Sequence, residues 1–227
     1  MRAILTYHSI DDSGSPISVD RAAFREHVAF LASGAVRVTD IAGVLAQPED
    51  AQAVALTFDD AFANFATEAW PLLRDRGLPA TLFVVSGHVG GTNAWGGREQ
   101  AGIPTLPLLD WDDLGRLAEE GVTLGAHSRT HPDLRGTDDA ALEDELAGSA
   151  EVIAARTGRR PEAFAYPYGA HDTRVASAAA AAYRFACTTD LRPLGRNEAT
   201  SLLPRLDACY LRLRAVTRAL RAAVRGS

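Results

Sequence analysis

The amino-acid sequence predicts one α/β domain in which seven or eight parallel strands form a closed barrel surrounded by helices. The length of 227 residues suits a single large α/β domain and is too short for two ordinary enzymatic domains with a linker. Short apolar, β-rich runs alternate with helical patterns, which is typical of parallel strands joined by crossover helices. The number of these runs is the number that a closed barrel requires.

The predicted strands are distributed along the whole chain, with helical or loop-like sequence between them. They are Ala3–Tyr7, Val36–Val38, Ala53–Phe58, Ala80–Val85, Val122–Ala126, Ala163–Tyr166, Phe185–Thr188 and Leu202–Leu206.

Two of the intervening segments have clear amphipathic periodicity. Segment Asp20–Leu31 carries apolar residues three and four positions apart, and so does Thr137–Thr157, which Gly158 would end. Both patterns predict helices packed on the barrel. The Gly-rich segment Gly87–Leu108 is instead typical of a long loop, and such loops commonly form part of a binding face.

Composition excludes several classes of protein. With 47% hydrophobic and 23% charged residues, the chain is neither disordered nor membrane-embedded, and its net charge of -6 argues against a nucleic-acid partner. The two cysteines are 22 positions apart, so a CxxC zinc site is absent and any metal would need His and carboxylate ligands. The first residues lack the apolar run of a signal peptide, which predicts a cytoplasmic protein.

The last 18 residues differ in pattern from the rest. Segment 210–227 places Leu213, Val216, Leu220 and Val224 on one helical stripe and arginines on another. We expect residues 1–209 to form the barrel and 210–227 to form a basic amphipathic helix. That helix either packs on the barrel or contacts an anionic membrane surface peripherally.

Two adjacent carboxylates, Asp59 and Asp60, directly follow the strand that ends at Phe58. The carboxyl ends of parallel strands are where the active sites of α/β proteins lie. The structural alternative is that one of the two caps a helix beginning near Ala61. Taken alone, the pair leaves both interpretations open.

Two histidines four residues apart, His127 and His131, follow another predicted strand. If the backbone after His127 makes a helical or turn-like loop, both imidazoles can bind one divalent ion. The set then needs an anionic third ligand, which Asp59 or Asp60 can supply.

A third strand end carries Tyr166, Pro167, Tyr168 and Gly169. These residues alone need do no more than terminate the strand. Three strand ends with a carboxylate pair, a histidine pair and an aromatic turn are nevertheless hard to explain as unrelated packing. Together they predict one site at the rim of the barrel.

The segments Thr57–Asp60 (TFDD), His127–His131 (HSRTH) and Tyr166–Gly169 (YPYG), in this order, resemble the first three motifs of the polysaccharide deacetylases, carbohydrate esterase family 4. The similarity extends from Ile4 to about Leu206. It implies a distorted (β/α) barrel that removes N-acetyl groups from sugars with one divalent metal ion, most often zinc.

The resemblance also implies roles for individual residues. By matching position, Asp60, His127 and His131 would hold the metal, and Asp59 would be the general base. The backbone N–H of Tyr168 would bind the oxyanion.

The sequence departs from the family pattern in two places. Many members begin the third motif with an arginine that orients the base, but Ala165 stands about there, and Arg205 is the candidate substitute. Many members also supply the acidic histidine late in the chain. Here His171 is too near the tyrosine motif, which leaves His8 at the end of the first strand. This arrangement resembles the circularly permuted branch, which includes deacetylases of poly-N-acetylglucosamine.

Several further residues are candidates for contact with an N-acetylated carbohydrate. We expect Tyr168 and Arg205 to contribute, and Trp95 and Trp111 to be either sugar platforms or packing residues. The remaining histidines, His27 and His88, are expected to be solvated. These candidates are Tyr168, Arg205, Trp95 and Trp111 for substrate, with His8 and Asp59 for proton transfer.

The sequence therefore predicts a metal-dependent carbohydrate N-deacetylase. Two alternatives are a hydrolase of another small amide or ester on the same scaffold, and a catalytically silent carbohydrate-binding relative. The oligomeric state is not predicted.

Overall fold

A curled parallel sheet forms the centre of the computed structural model. The structure describes residues 1–209; the predicted amphipathic helix at 210–227 lies outside the described residues. The strands are β1 (Arg2–Tyr7), β2 (Ser9–Ile10), β3 (Ser18–Val19), β4 (Arg37–Thr39), β5 (Ala53–Phe58), β6 (Thr81–Val84), β7 (Thr123–Ala126), β8 (Ala163–Ala165), β9 (Phe185–Cys187) and β10 (Leu206–Asp207). The α-helices are α1 (Arg21–Leu31), α2 (Ile41–Ala46), α3 (Trp70–Arg74), α4 (Trp111–Glu119), α5 (Asp139–Glu143), α6 (Ser149–Thr157) and α7 (Thr173–Ala182).

The main sheet runs in the order β10-β1-β5-β6-β7-β8-β9, and every pairing in it is parallel. The segment 203–207 meets both ends of this order, because Leu203 bridges Cys187 of β9 and Leu206 pairs with Leu5 of β1. This one segment therefore closes the sheet into a barrel.

The closure is irregular in two respects. Strand β4 pairs with the first half of β5, and β6 pairs with the last two residues of the same strand. The predicted strand Leu202–Leu206 is also shorter than expected, since regular pairing begins at Leu206 and Leu203 forms an isolated bridge. The predicted α/β barrel is confirmed in this distorted form.

In the barrel interior the ring of Phe83 has small residues on the neighbouring strands. Phe83 of β6 is fully buried, and a Cβ added at Gly125 of β7 would lie 2.4 Å from its ring. Alanines at positions 163 and 165 of β8 belong to the same cluster. Ile41 and Val44 of α2 join this cluster, so α2 closes the barrel end opposite the carboxyl ends of the strands.

The helices cover the outer surface much as their periodicity predicts. Helix α1 begins after Asp20, whose side chain accepts a hydrogen bond from the Ala23 N–H at 2.7 Å. The predicted helix Thr137–Thr157 is observed as an unbroken helical run from Asp139 to Thr157, in which the π-helical turn Asp144–Gly148 joins α5 to α6. No helix within residues 1–209 combines the length and the apolar composition that crossing a bilayer requires.

One prediction about the helices is wrong. His27 is 6% exposed rather than solvated, because it lies on the face of α1 that packs on the barrel. Its Nδ1 is 3.2 Å from the hydroxyl of Tyr7.

The contact between Gly125 and Phe83 predicts that Gly125→Ala is destabilising. The added methyl group would overlap the Phe83 ring and approach the Ala163 carbonyl oxygen at 3.1 Å, and overpacking of this kind costs about 1–3 kcal/mol. Urea denaturation measures the loss.

Gly115→Ala on α4 is the matched control, because a Cβ there has no neighbour within 4 Å. It should stabilise the protein by roughly 0.5–1 kcal/mol through helix propensity. Unchanged unfolding free energy in Gly125→Ala would contradict this account of the interior.

Candidate active site

The three predicted strand ends meet at one rim of the barrel. The backbone N–H groups of Asp59, His127 and Tyr166 each continue the strand ladder by donating to a neighbouring strand, at 2.9, 2.9 and 3.1 Å. All three residues line a cavity of about 120 Å³. This volume corresponds to roughly four water molecules in the liquid, so the cavity suits a small group rather than a whole saccharide.

Asp60, His127 and His131 bring three ligand atoms together. The Asp60 Oδ1 lies 3.5 Å from His127 Nε2 and 3.6 Å from His131 Nε2. All three residues are buried, and their ligand atoms lie within 4.8 Å of one another. Two imidazoles and a carboxylate form a donor set that is typical of catalytic zinc.

The hydrogen bonding of these residues fits a bound cation. The Nδ1–H of His127 donates to the Ala165 carbonyl at 2.7 Å, which leaves the lone pair of Nε2 directed toward Asp60. Among the described residues, Asp60 Oδ1 is buried without a hydrogen-bond partner. A cation would supply what this oxygen lacks.

Burial shifts the pKa values of Asp60 and His131. It raises the pKa of Asp60 above its ordinary value and, together with His127, lowers the pKa of His131 well below its ordinary value. His131 is therefore neutral and able to donate a lone pair. The buried Asp60 carboxylate favours a positive partner for the same reason.

The backbone at the rim is strained. Asp60, Ala61, Ser128, His131 and Tyr168 all have positive φ angles, between 57° and 70°. Among the described residues only one other non-glycine residue, Asn197, shares this conformation. Each such residue costs on the order of 1–3 kcal/mol, so the surrounding structure must hold these turns in place.

Asp59 is held by Arg205, as the sequence predicts. The guanidinium donates two parallel hydrogen bonds to the carboxylate, at 2.7 and 2.8 Å, and a third from Nε to the Thr188 carbonyl at 2.9 Å. Burial alone would raise the pKa of Asp59, but Arg205, with His127 and His8, outweighs it and holds the pKa well below its ordinary value. Asp59 is therefore ionised and fixed in orientation.

Arg205 is buried inside the barrel. Arg205 enters the interior from the closing segment and lies over the ring of Phe83, 5.7 Å from its centroid. It is 2% exposed and is not part of the cavity lining. The assignment of Arg205 to substrate binding is therefore corrected, because both of its terminal nitrogens are used by Asp59.

His8 lies in the same cavity as Asp60, His127 and His131. Its Nε2 is 3.8 Å from Asp59 Oδ2, and its side chain is 19% exposed. His171 is turned elsewhere, with Nδ1 hydrogen-bonded to the Gly169 carbonyl at 2.9 Å. Of the candidate acids, the structure thus brings His8 to the site.

The two predicted tryptophan platforms have different positions. Trp95 lines the cavity but is 9% exposed and stacks on His131, with ring centroids 4.5 Å apart, so it acts in packing. Trp111 is not among the cavity residues. It packs at the start of α4 with the Arg156 guanidinium 5.7 Å from its ring centroid, and its role as a sugar platform stays a prediction.

The long loop contributes to the cavity as expected. Asn93 organises it, accepting from the Leu106 N–H at 2.7 Å and donating to the Pro104 carbonyl at 3.1 Å. Sequence analysis did not single out Asn93, although an asparagine in a Gly-rich loop is a recognised turn signal. His88 is half-buried, edge-on to Trp95 with centroids 5.1 Å apart, rather than solvated.

Comparison with known proteins agrees with this site. A family model described as polysaccharide deacetylase matches residues 46–186. YxkH of Bacillus subtilis (strain 168) is 24% identical over 209 residues, covering 89% of this chain and 70% of YxkH. The chitooligosaccharide deacetylase of Rhizobium leguminosarum bv. trifolii is 33% identical over 106 residues, covering 46% of this chain and 40% of that protein. The chain thus spans less than half of the Rhizobium protein.

The fold is shared with a solved structure, that of IcaB from Ammonifex degensii. The TM-score is 0.75 at 20% identity, and the match covers 96% of each chain.

The buried ion pair predicts that Arg205→Ala lowers the unfolding free energy by about 3–5 kcal/mol, because Asp59 is left as an uncompensated buried charge. The double variant Asp59→Asn/Arg205→Met removes both charges and should recover much of this loss. Urea denaturation of the metal-free protein measures both.

Arg135→Ala is the matched control, since its guanidinium pairs with Asp133 at the surface. Such exposed pairs contribute about 0–1 kcal/mol. Equal stability of Arg205→Ala and Arg135→Ala would contradict the importance of the buried pair.

Proposed function

This chain belongs to the polysaccharide deacetylase family, and from that premise we propose that it is a metal-dependent hydrolase that removes N-acetyl groups from an N-acetylated sugar or polysaccharide. One observation carries the proposal: a three-donor set of two imidazoles and a carboxylate stands beside a second, ionised carboxylate in one small cavity. Amide hydrolysis needs both an electrophilic centre and a base close to it.

Asp60, His127 and His131 would hold the divalent ion. When bound, the ion supplies Lewis acidity that activates water and polarises the acetyl carbonyl, and the donor set favours zinc. The unpartnered Asp60 Oδ1 and the fixed Nε2 of His127 support this assignment.

Asp59 would accept the proton from the attacking water. The two hydrogen bonds from Arg205 support this role, because they fix the carboxylate plane and keep the group ionised. Arg205 then acts as a positioning residue that reaches the substrate only through Asp59.

His8 would donate a proton to the departing amine. Its position in the cavity, 3.8 Å from Asp59, supports this role. The backbone N–H of Tyr168 would bind the negative charge that develops on the acetyl oxygen, as preorganised donors do in acyl-transfer enzymes.

The cavity wall supports an acetyl group as the part of the substrate that enters. Ile17, Ile103 and Trp95 provide apolar surface beside the polar residues, which suits a methyl group next to a carbonyl. Tyr168 is 55% exposed at this rim and packs edge-on to His131, so its ring is available to a sugar outside the cavity.

Acetate release tests the proposal. Metal-loaded protein is incubated with N-acetylglucosamine oligomers and with poly-N-acetylglucosamine, with and without chelator. We expect acetate release that the chelator abolishes and added Zn²⁺ restores. Hydrolysis restricted to other amides or esters would favour another acyl substrate, and saccharide binding without hydrolysis would indicate a silent relative.

Substitution of Asp59 and substitution of Asp60 should affect different properties, rate in one case and metal content in the other. Asp60→Asn should lower metal content strongly, whereas Asp59→Asn should retain metal and lose roughly 10²–10⁴-fold in rate, the usual contribution of a general base. Metal analysis and acetate release on the same preparations measure the two effects. Asp133→Asn, at an exposed surface carboxylate, serves as control and should behave like the wild type.

Loss of metal in Asp59→Asn with retention in Asp60→Asn would reverse the two assignments.

His8→Ala should retain fold and metal and lose most amide hydrolysis. A phenolate ester needs no protonation of its leaving group, so the loss on such an ester should be much smaller. Parallel assays on an N-acetyl sugar and a nitrophenyl acetate give the ratio. His88→Ala, outside the cavity lining, is the control, and equal losses on both substrates in His8→Ala would assign the acid elsewhere.

A further inference from the structure

Glu145 is a buried carboxylate that the proposed reaction does not use. It lies in the π-helical turn Asp144–Gly148 and is 7% exposed. Its Oε2 accepts hydrogen bonds from the backbone N–H groups of Arg129 and Thr130, at 2.7 and 2.9 Å. Its Oε1 accepts from the Thr130 hydroxyl. All three contacts are to the segment between His127 and His131.

That segment is conformationally demanding. Ser128 and His131 both have left-handed φ angles, of 63° and 61°. The Ser128 hydroxyl oxygen accepts from the His131 N–H at 2.9 Å, and the Ser149 hydroxyl donates to the Ser128 carbonyl at 3.0 Å. Glu145 and Ser149 are four residues apart, so this helical segment contacts the loop backbone at Ser128, Arg129 and Thr130.

The charge of Glu145 is directed to the loop backbone. The Arg129 guanidinium, the nearest sequence candidate for an ion pair, binds the exposed Asp144 instead, at 2.5 Å. The carboxylate is therefore stabilised by successive backbone N–H groups, an arrangement that proteins use to bind anions. Deleting it would leave two N–H donors of a strained loop without their acceptor.

We propose that Glu145 is a positioning residue that holds the loop from Ser128 to His131 in the conformation that presents His131 to the metal. The proposal rests on the proposed function, because it assumes that His131 is a ligand. Hydrogen bonds that orient metal ligands typically change metal affinity by 10–100-fold. We expect an effect of that size from Glu145, although it contacts no ligand side chain.

The test measures the affinity of the purified full-length protein for Co²⁺ by chelator competition, together with the visible spectrum of bound Co²⁺ and the melting temperature of the metal-free form. The variants are Glu145→Ala, Glu145→Asp and Glu145→Gln. Asp144→Ala is the control, since it removes the adjacent, exposed carboxylate of the same turn.

Glu145→Ala should weaken Co²⁺ binding at least tenfold and alter the spectrum. Glu145→Gln, whose amide oxygen can still accept from both N–H groups, should restore most of the affinity, and Asp144→Ala should bind like the wild type. If Glu145→Ala does not fold, Glu145→Asp tests the inference instead. Its shorter side chain cannot reach the loop in the same way, so we expect tenfold weaker Co²⁺ binding.

If Glu145→Ala and Glu145→Asp fold and bind Co²⁺ as tightly as the wild type, with only the melting temperature lowered, the inference is overturned. The proposed function would remain intact. A wild-type protein that binds no Co²⁺ would overturn the proposed function and this inference with it.

Discussion

The ion pair between Asp59 and Arg205 is the interaction on which the rest of the site depends. It joins the strand that carries both carboxylates to the segment that closes the barrel, and both side chains are almost completely buried. Desolvating two charges is costly, and only good geometry with further hydrogen bonds repays that cost. Here the fork of the guanidinium matches the carboxylate, and the Thr188 carbonyl accepts a further hydrogen bond from Nε. The barrel is thereby closed by the same contact that orients the candidate base.

The other half of the site depends on strained turns that neighbouring elements hold in place. Five residues at the rim have left-handed φ angles, which regular strand geometry does not provide. Hydrogen bonds from neighbouring elements hold this part of the site: Glu145 accepts from the N–H groups of Arg129 and Thr130, and the Ala165 carbonyl accepts from the ring of His127. The stability of the surrounding helices and the geometry of the candidate ligands are therefore coupled through a few polar contacts.

How well each feature could be predicted from the sequence depends on how far apart in the chain its interacting residues are. The strand ends and the cluster of Asp60, His127 and His131 were predictable, because they depend on local pattern and on three short motifs. The approach of Arg205 to Asp59 was inferred only as a substitution, since it depends on which strands become neighbours. The π-helical turn was missed because Leu142, Leu146 and Ile153 keep helical spacing through it. His27 was misjudged because a side chain's type does not determine which surface of the barrel it meets.

The distance along the chain between Asp59 and Arg205, 146 residues, has a consequence for the order of folding. A ribosome synthesises the strand that precedes Asp59, and then the strand that precedes both histidines, long before the arginine that completes the pair. Until then the carboxylate is a charge at the open seam of an unfinished sheet, where water can still solvate it. This water is expelled when the closing segment 203–207 docks on the sheet, so burial of the charge and its neutralisation occur together. Pairings this distant in sequence form slowly, which makes completion of the active site a late event in the maturation of the protein.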